Sequence, residues 1–277
     1  MKQAEGKDYI PIDAAIVPIG TIRGSFFQGD ITTADAFSVS SLGIGADKMP
    51  GYPLISLYLT GKELKTVCEV DASVAPIMSD AQLFMSGIKY TFHPRRLIFN
   101  KVTECSLVRT DNLTAPIEED MLEEIEEDRL YRVVVGLYSA QMLSVVGEKS
   151  FGLLKLEPKT MDGTPIKDFE AQIIYQTDGN VKTEVKEWSA VVSYLKSFDK
   201  VEGIPTIPQY YSVAQGRKVV DDSRNIFALI SGPNRIALAI YAIVLVLLTV
   251  ILLLIRLVYK KIRRYRRLRI SNEASKH

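Results

Sequence analysis

Positions 236–255 read IALAIYAIVLVLLTVILLLI, twenty residues without a charge, of which fifteen are Leu, Ile or Val. As a helix rising about 1.5 Å per residue, the run is about 30 Å long, the thickness of a hydrocarbon core. At about −0.3 to −0.6 kcal/mol each, those fifteen side chains favour insertion by on the order of 5–9 kcal/mol. A helix of a soluble domain carries a polar face, and this run has none. A secretory signal would stand at the N-terminus, and a GPI signal would end in its apolar tail. Here the polar residues 256–277 follow. The run is therefore expected to be a membrane span.

Charge sets its orientation. The whole chain is +1, but from residue 236 onward there are nine Lys or Arg and one acid. The remaining 25 basic and 32 acidic residues give the body −7 against +8 for the tail. The segment YKKIRRYRRLR at 259–269 follows the span. By the positive-inside rule it stays cytoplasmic, which puts the body outside the cytoplasm and the protein in the cell membrane as a single-pass chain. Contact with membrane lipid is expected through the span and the basic tail, whose Lys and Arg suit anionic head groups. An acidic body excludes general binding to nucleic acid. The N-terminal MKQAEGKDYIPIDAA has no apolar stretch of signal-peptide length. An exported body calls for a signal upstream, so further sequence is expected before Met1.

About 230 residues precede the tail, enough for a sizeable core. Strands are expected at 14–18, 54–59, 88–92, 97–108, 130–135 and 171–175. Helices are expected at 30–40, with Thr32 or Thr33 as N-cap, and at 60–70, 139–146 and 183–198. Turns fall at Gly20, Gly24 and 93–96. Strands and helices mix without a strict βαβ repeat. This predicts an α+β class: a single mixed-sheet domain over 1–207, a linker at 208–235, the span at 236–255 and a cytoplasmic tail at 256–277. The run 118–128 holds eight acids in eleven residues and reads as a solvated helical or loop segment. Asn112-Leu113-Thr114 is a glycosylation sequon.

The chain is poor in catalytic groups. Its two histidines are His93, beside a predicted turn, and His277, the last residue. No cluster of metal ligands, P-loop or GxGxxG is present, so no cofactor is expected in this chain. Cys68 and Cys105 are either one disulfide or two buried thiols. The chemistry suits binding rather than complete catalysis.

The run AAIVPIGTIRGSFFQGDITTADAF at 14–37 resembles the signature of the 5′-nucleotidase C-terminal domain family, an Asn-x-Gly-Gly-Ile-Arg turn followed by Ile-Thr-x-x-Asp. LISLYLTGKEL at 54–64, FMSGIKYTF at 84–92, YRVVVGLY at 131–138, DGTPI at 162–166 and Gln215-Gly216-Arg217 follow in the family's order, so the likeness covers about residues 10–217. The resemblance implies that a separate N-terminal domain holds two divalent metal ions and hydrolyses a phosphate ester. The C-terminal domain then binds the nucleoside, stacking the base between aromatic rings. This chain would be the nucleoside-recognising domain of a membrane-anchored, extracytoplasmic 5′-nucleotidase-like phosphoesterase of nucleotide catabolism, with the two-metal domain missing from it. The substrate would be a nucleoside, nucleotide or related phosphate ester.

The family's pattern carries over in part. Arg23 matches the motif arginine, whose guanidinium forks onto substrate oxygens; a structural ion pair is its other reading. Gly20 matches a motif glycine that lets the backbone approach a ligand. Tyr138 falls on the second stacking aromatic, with a core tyrosine as its other reading. Pro18 stands where the family has Asn, Thr21 where it has Gly, and Leu42 near its first stacking Phe. The family's Gly-Gly-Asp-Gly is absent. These departures support the alternative of a non-catalytic, surface-anchored ligand- or protein-binding module.

Overall fold

In the segment LISLYLT, every second residue is apolar and branched, and the chain there forms β2 (Leu54–Thr60), after β1 (Ala14–Pro18). Ile55, Leu57 and Leu59 are fully buried, while the residues between them are half-buried, the signature of a strand with one face on a core. In this computed structural model, which describes residues 1–110, 114–149, 156–178 and 181–274, β3 (Leu83–Ser86), β4 (Ile88–Phe92), β5 (Val102–Val108), β6 (Leu122–Glu124) and β7 (Leu130–Gly136) follow. The first sheet has the order β2-β7-β1-β3. β7 runs antiparallel to β2 and parallel to β1. β7 is central in this sheet, and Tyr131 to Gly136 is buried on both faces.

Helix α1 (Lys2–Glu5) opens the chain, α2 (Thr33–Val39) follows β1, and α3 (Gly61–Val74) follows β2. Both α2 and α3 begin with a capping box. The Thr60 hydroxyl accepts from the Glu63 amide at 3.3 Å, and the Glu63 carboxylate accepts from the Thr60 amide at 2.8 Å. Leu64, Val67, Cys68 and Ala72 are buried on the face of α3 that packs on β2 and β5. β5 belongs to the second sheet, whose order is the late strand β12 (Lys218–Val220), then β4, β5 and β6. The later elements are α4 (Leu137–Lys149), the hairpin β8 (Tyr175–Asp178) and β9 (Val181–Glu184), α5 (Glu187–Lys196), the short pair β10 (Lys200–Val201) and β11 (Ile204–Pro205), and β12 (Lys218–Val220). Side chains of both four-stranded sheets and α3 form one core. The fold is mixed α and β, as the sequence predicts.

Several expectations need correction. The strand expected from Leu97 begins at Val102, because 93–100 is a turn closed by the Asn100 amide donating to the Leu97 carbonyl. The strand expected at 171–175 starts only at Tyr175, and the first two residues of the helix expected at 183–198, Thr183 and Glu184, instead end the strand Val181–Glu184 paired with it. The acidic run is not wholly loop or helix: Leu122–Glu124 is an edge strand on β5, and Glu123 pairs with Arg109 and Arg129. Cross-strand pairing and those arginines compensate its charge. The expected linker at 208–235 contains β12, which pairs in parallel with β4. A body cut at 207 would lose a sheet strand; the first compact unit extends to Ile230. Of the two readings of Cys68 and Cys105, the structure has buried free thiols, with their sulfurs 3.6 Å apart. Asn112, Leu113 and His277 lie outside the described residues.

Gly87 joins β3 to β4 at φ +80°, and a Cβ there would stand 2.1 Å from the Asp13 carbonyl oxygen. The atoms it would meet are all backbone of Asp13 and Ala14, which cannot swing aside as a side chain would. Gly87→Ala is expected to cost about 2–5 kcal/mol in denaturant unfolding, the sum of left-handed strain and overpacking.

Within the first unit, α6 (Ile226–Ile230) is the last helix. The second unit, Ser231–His277, is built on α7 (Arg235–Ala274). Its stretch Arg235–Arg264 is long and apolar enough to cross a membrane, with none of its most apolar window buried.

Candidate functional site

After β1 the chain makes a single 3-10 turn at Ile19–Thr21, where the buried Thr21 hydroxyl donates to the Pro18 carbonyl at 2.9 Å. Gly20 is exposed in this turn. Its φ is not positive, and an added Cβ would meet only the Asp80 carbonyl at an ordinary 3.7 Å. The fold itself does not require glycine there. Arg23 then donates its amide to the Val39 carbonyl at 2.8 Å, which ties the turn to the end of α2. The Arg23 side chain is exposed, and among the described residues its guanidinium has no ion pair or hydrogen bond. Among the described residues, the structural ion pair that is the other reading of Arg23 is not seen.

The end of α2 leads to the rest of the cluster. Phe37 meets Trp188 edge-on at 5.6 Å, so α2 packs on α5. The next residue after α2, Ser40, donates its hydroxyl to the Glu187 carboxylate at 3.3 Å. Glu187 is the first residue of α5, and its amide donates to the Tyr52 carbonyl at 3.2 Å. Its carboxylate rests against Gly136, the last residue of β7: a Cβ at Gly136 would stand 1.7 Å from Oε1. Burial raises the Glu187 pKa to about 7, and the Ser40 hydroxyl offsets only part of that. Near neutral pH a large share of Glu187 is a carboxylic acid, able to donate as well as accept.

Two residues beyond Gly136, in the first turn of α4, stands Tyr138, 36% exposed. Its ring lies on that of Tyr52, centroids 5.3 Å apart and planes within 17°. The Tyr52 ring also covers Gly43, whose φ is +80° and whose Cβ would come within 2.3 Å of the ring. Only glycine fits there on both counts. The loop between Gly43 and Tyr52 is pinned from below. Lys186 bonds Asp47 at 2.7 Å and Glu184 at 2.6 Å, and the Asp47 amide donates to Glu184 at 3.0 Å. A Cβ on Gly45 would strike this ion pair.

The fold thus connects Arg23 to Tyr138 through Val39, Ser40, Glu187 and Gly136. Tyr138 is a half-covered surface tyrosine rather than a core one. A planar base slipped between two rings needs centroids about 7 Å apart, two contact distances of about 3.5 Å. At 5.3 Å the Tyr52–Tyr138 pair has no such gap, so a base would have to part the rings or stack on what the pair leaves exposed. Tyr52, Ser40 and Glu187 do not stand out in the sequence. Tyr52 is ten residues from Leu42, and it reaches Tyr138 only because the 43–51 loop folds back so that its amide donates to the Leu42 carbonyl. Glu187 reads as an ordinary acid of a helix. His93, in contrast, is buried and bonds the Ser223 carbonyl, a structural role. Among the described residues no three His, Cys, Asp or Glu side chains converge to hold a metal ion.

The sequence model of the family described as "5′-nucleotidase, C-terminal domain" matches residues 2–144. A "5′-nucleotidase-related protein" of Glossina morsitans morsitans is 29% identical over 210 residues, which are 73% of this chain and 30% of the relative. Among solved structures, the 5′-nucleotidase precursor of Thermus thermophilus aligns with 76% of this chain and 32% of its own, at 19% identity and a TM-score of 0.48. The NAD nucleotidase of Haemophilus influenzae aligns with 76% of this chain and 30% of its own, at 16% identity and a TM-score of 0.46. This chain spans about a third of the length of each of these proteins.

Proposed function

This chain belongs to the 5′-nucleotidase C-terminal domain family, and from that membership we propose that it recognises the nucleoside part of a nucleotide or related phosphate ester for a membrane-anchored, extracytoplasmic 5′-nucleotidase-like phosphoesterase of nucleotide catabolism. What supports this is the exposed guanidinium of Arg23, without an ion pair or hydrogen bond among the described residues, and the half-exposed Tyr138 ring, whose segments are joined through Val39, Ser40, Glu187 and Gly136. A guanidinium suits hydroxyl and phosphate oxygens, and an aromatic face suits any base. Glu187 adds a polar group that serves as donor and acceptor near neutral pH. Hydrolysis in this reading belongs to a companion domain with two divalent metal ions, and this chain supplies binding and orientation. Its anchor is α7, with the basic flank on the cytoplasmic side and the acidic body outside.

Titration calorimetry of the full chain in detergent with adenosine and other nucleosides tests the reading. Arg23→Ala is expected to weaken binding about 10- to 150-fold, the loss of a charged hydrogen bond of about 1.5–3 kcal/mol. Gly20→Ala leaves the fold intact, so any loss of affinity there reports backbone approach to the ligand. Nucleoside binding that is indifferent to both Arg23→Ala and Tyr138→Ala would sink the reading. The closed Tyr52–Tyr138 pair favours a second one, a non-catalytic surface-anchored ligand- or protein-binding module. It predicts no nucleoside binding at millimolar concentration even in Tyr52→Ala, where the pair is opened.

A further inference from the structure

Residues 208–235 read as a tether between domain and anchor, yet much of that chain is docked on the domain. β12 lengthens the second sheet, and the Asp221 amide donates to the Phe92 carbonyl at 2.9 Å. The Nδ1 of buried His93 accepts from the Arg95 amide at 3.2 Å, so its Nε2–H donates to the Ser223 carbonyl at 2.8 Å. Buried Arg96 donates to the Asn100 carbonyl at 2.7 Å and to the Ala228 carbonyl at 2.8 Å, which holds the 93–100 turn beside α6. Only residues 231–234 then separate α6 from α7. Six residue steps from Ile230 to Ile236 reach at most about 20 Å. This end of the domain therefore cannot leave the vicinity of the bilayer that the apolar run enters.

The same end exposes apolar side chains. Phe227 is 79% exposed, Ile230 52% and Ile98 38%. Arg95 and Arg224, three residues before Ile98 and Phe227 in the chain, are exposed as well. An apolar cluster flanked by guanidinium groups matches the boundary between acyl chains and anionic head groups. Resting on the membrane-anchor reading above, we propose that α6 and the 93–100 turn form a membrane-contacting face, with Phe227 and Ile230 set among the head groups of the bilayer that α7 crosses.

Trp188 is the sole tryptophan, so Trp188→Phe gives a silent background. In it, full-length chains carrying Phe227→Trp, Ile230→Trp, Phe27→Trp or Ile243→Trp are reconstituted into vesicles of phosphatidylcholine and phosphatidylglycerol. Phe27 is 87% exposed and reports water; Ile243 lies in the span. The fluorescence of the Phe227→Trp and Ile230→Trp chains is expected to fall about two-fold with lipids brominated near the head group, and to be several-fold less quenched by iodide than that of the Phe27→Trp chain. If Phe227→Trp does not fold, Ile230→Trp reports the same face. Ile243→Trp quenched by brominated lipid, with both α6 reporters as open to iodide as Phe27→Trp, overturns the proposal and leaves the anchor standing. All reporters open to iodide overturn the anchor and the proposal together.

Discussion

Lys186→Met is expected to cost about 3–5 kcal/mol of stability, because removing one partner of a buried pair leaves the other charge uncompensated. The side chains of Lys186 and Glu184 are 4% and 2% exposed, so water cannot replace the lost ammonium. Asp47 is affected too. Partial burial works against its charge, yet the Lys186 ammonium and the Met49 amide outweigh this and hold its pKa below the ordinary value. The variant therefore also frees the loop that seats Tyr52 on Gly43. Urea unfolding of the full chain measures the loss. The double variant Lys186→Met/Glu184→Gln is expected to recover much of it, since no buried charge is then left alone. A single variant as stable as the parent would show that the pair is solvated.

Glu187→Gln is expected to act in the opposite direction and only at high pH. Glu187 ordinarily titrates at 4.5 and is raised to about 7 in the fold, by burial first. Between those values the folded chain keeps a proton that the unfolded chain has released. Stability contributed by this group is therefore present below pH 4.5 and is lost as pH rises toward 7, by on the order of 3 kcal/mol. Glutamine carries no charge at any pH. The variant should match the parent near pH 4.5 and exceed it by about 2–3 kcal/mol at about pH 8. Unfolding curves of the two proteins at both pH values decide the point; a constant difference would place Glu187 in water. Lys186 and Glu187 are neighbours in the chain, yet one is paired and the other has a single hydroxyl. That contrast marks Glu187 as a group whose environment is not arranged for stability, which fits a place at a binding surface.

Much of the fold could be read from local pattern. The alternation in LISLYLT, the Thr60–Glu63 capping box and the apolar face of α3 each have a period that side chains cannot hide. Local pattern is not enough where pairing partners decide. Val181–Glu184 is a strand because Tyr175–Asp178 lies beside it, and Leu122–Glu124 because β5 offers an edge. The Arg23 turn and Tyr138 were legible from motif order. Tyr52 and Glu187 were not, since neither lies near Tyr138 in sequence and no spacing links them to it.

By itself, the sequence determined the apolar run of 236–255 and its basic flank, because transfer into hydrocarbon depends on composition and length alone. It determined the family as well, through motifs in a fixed order. Tertiary structure alone decided that Tyr52 covers Tyr138, that Glu187 is shielded from water and that most of 218–230 is bound to the domain. Each of these depends on what a distant segment brings within a few ångströms, and burial, pKa and ring contact are properties of such neighbours rather than of the chain's order.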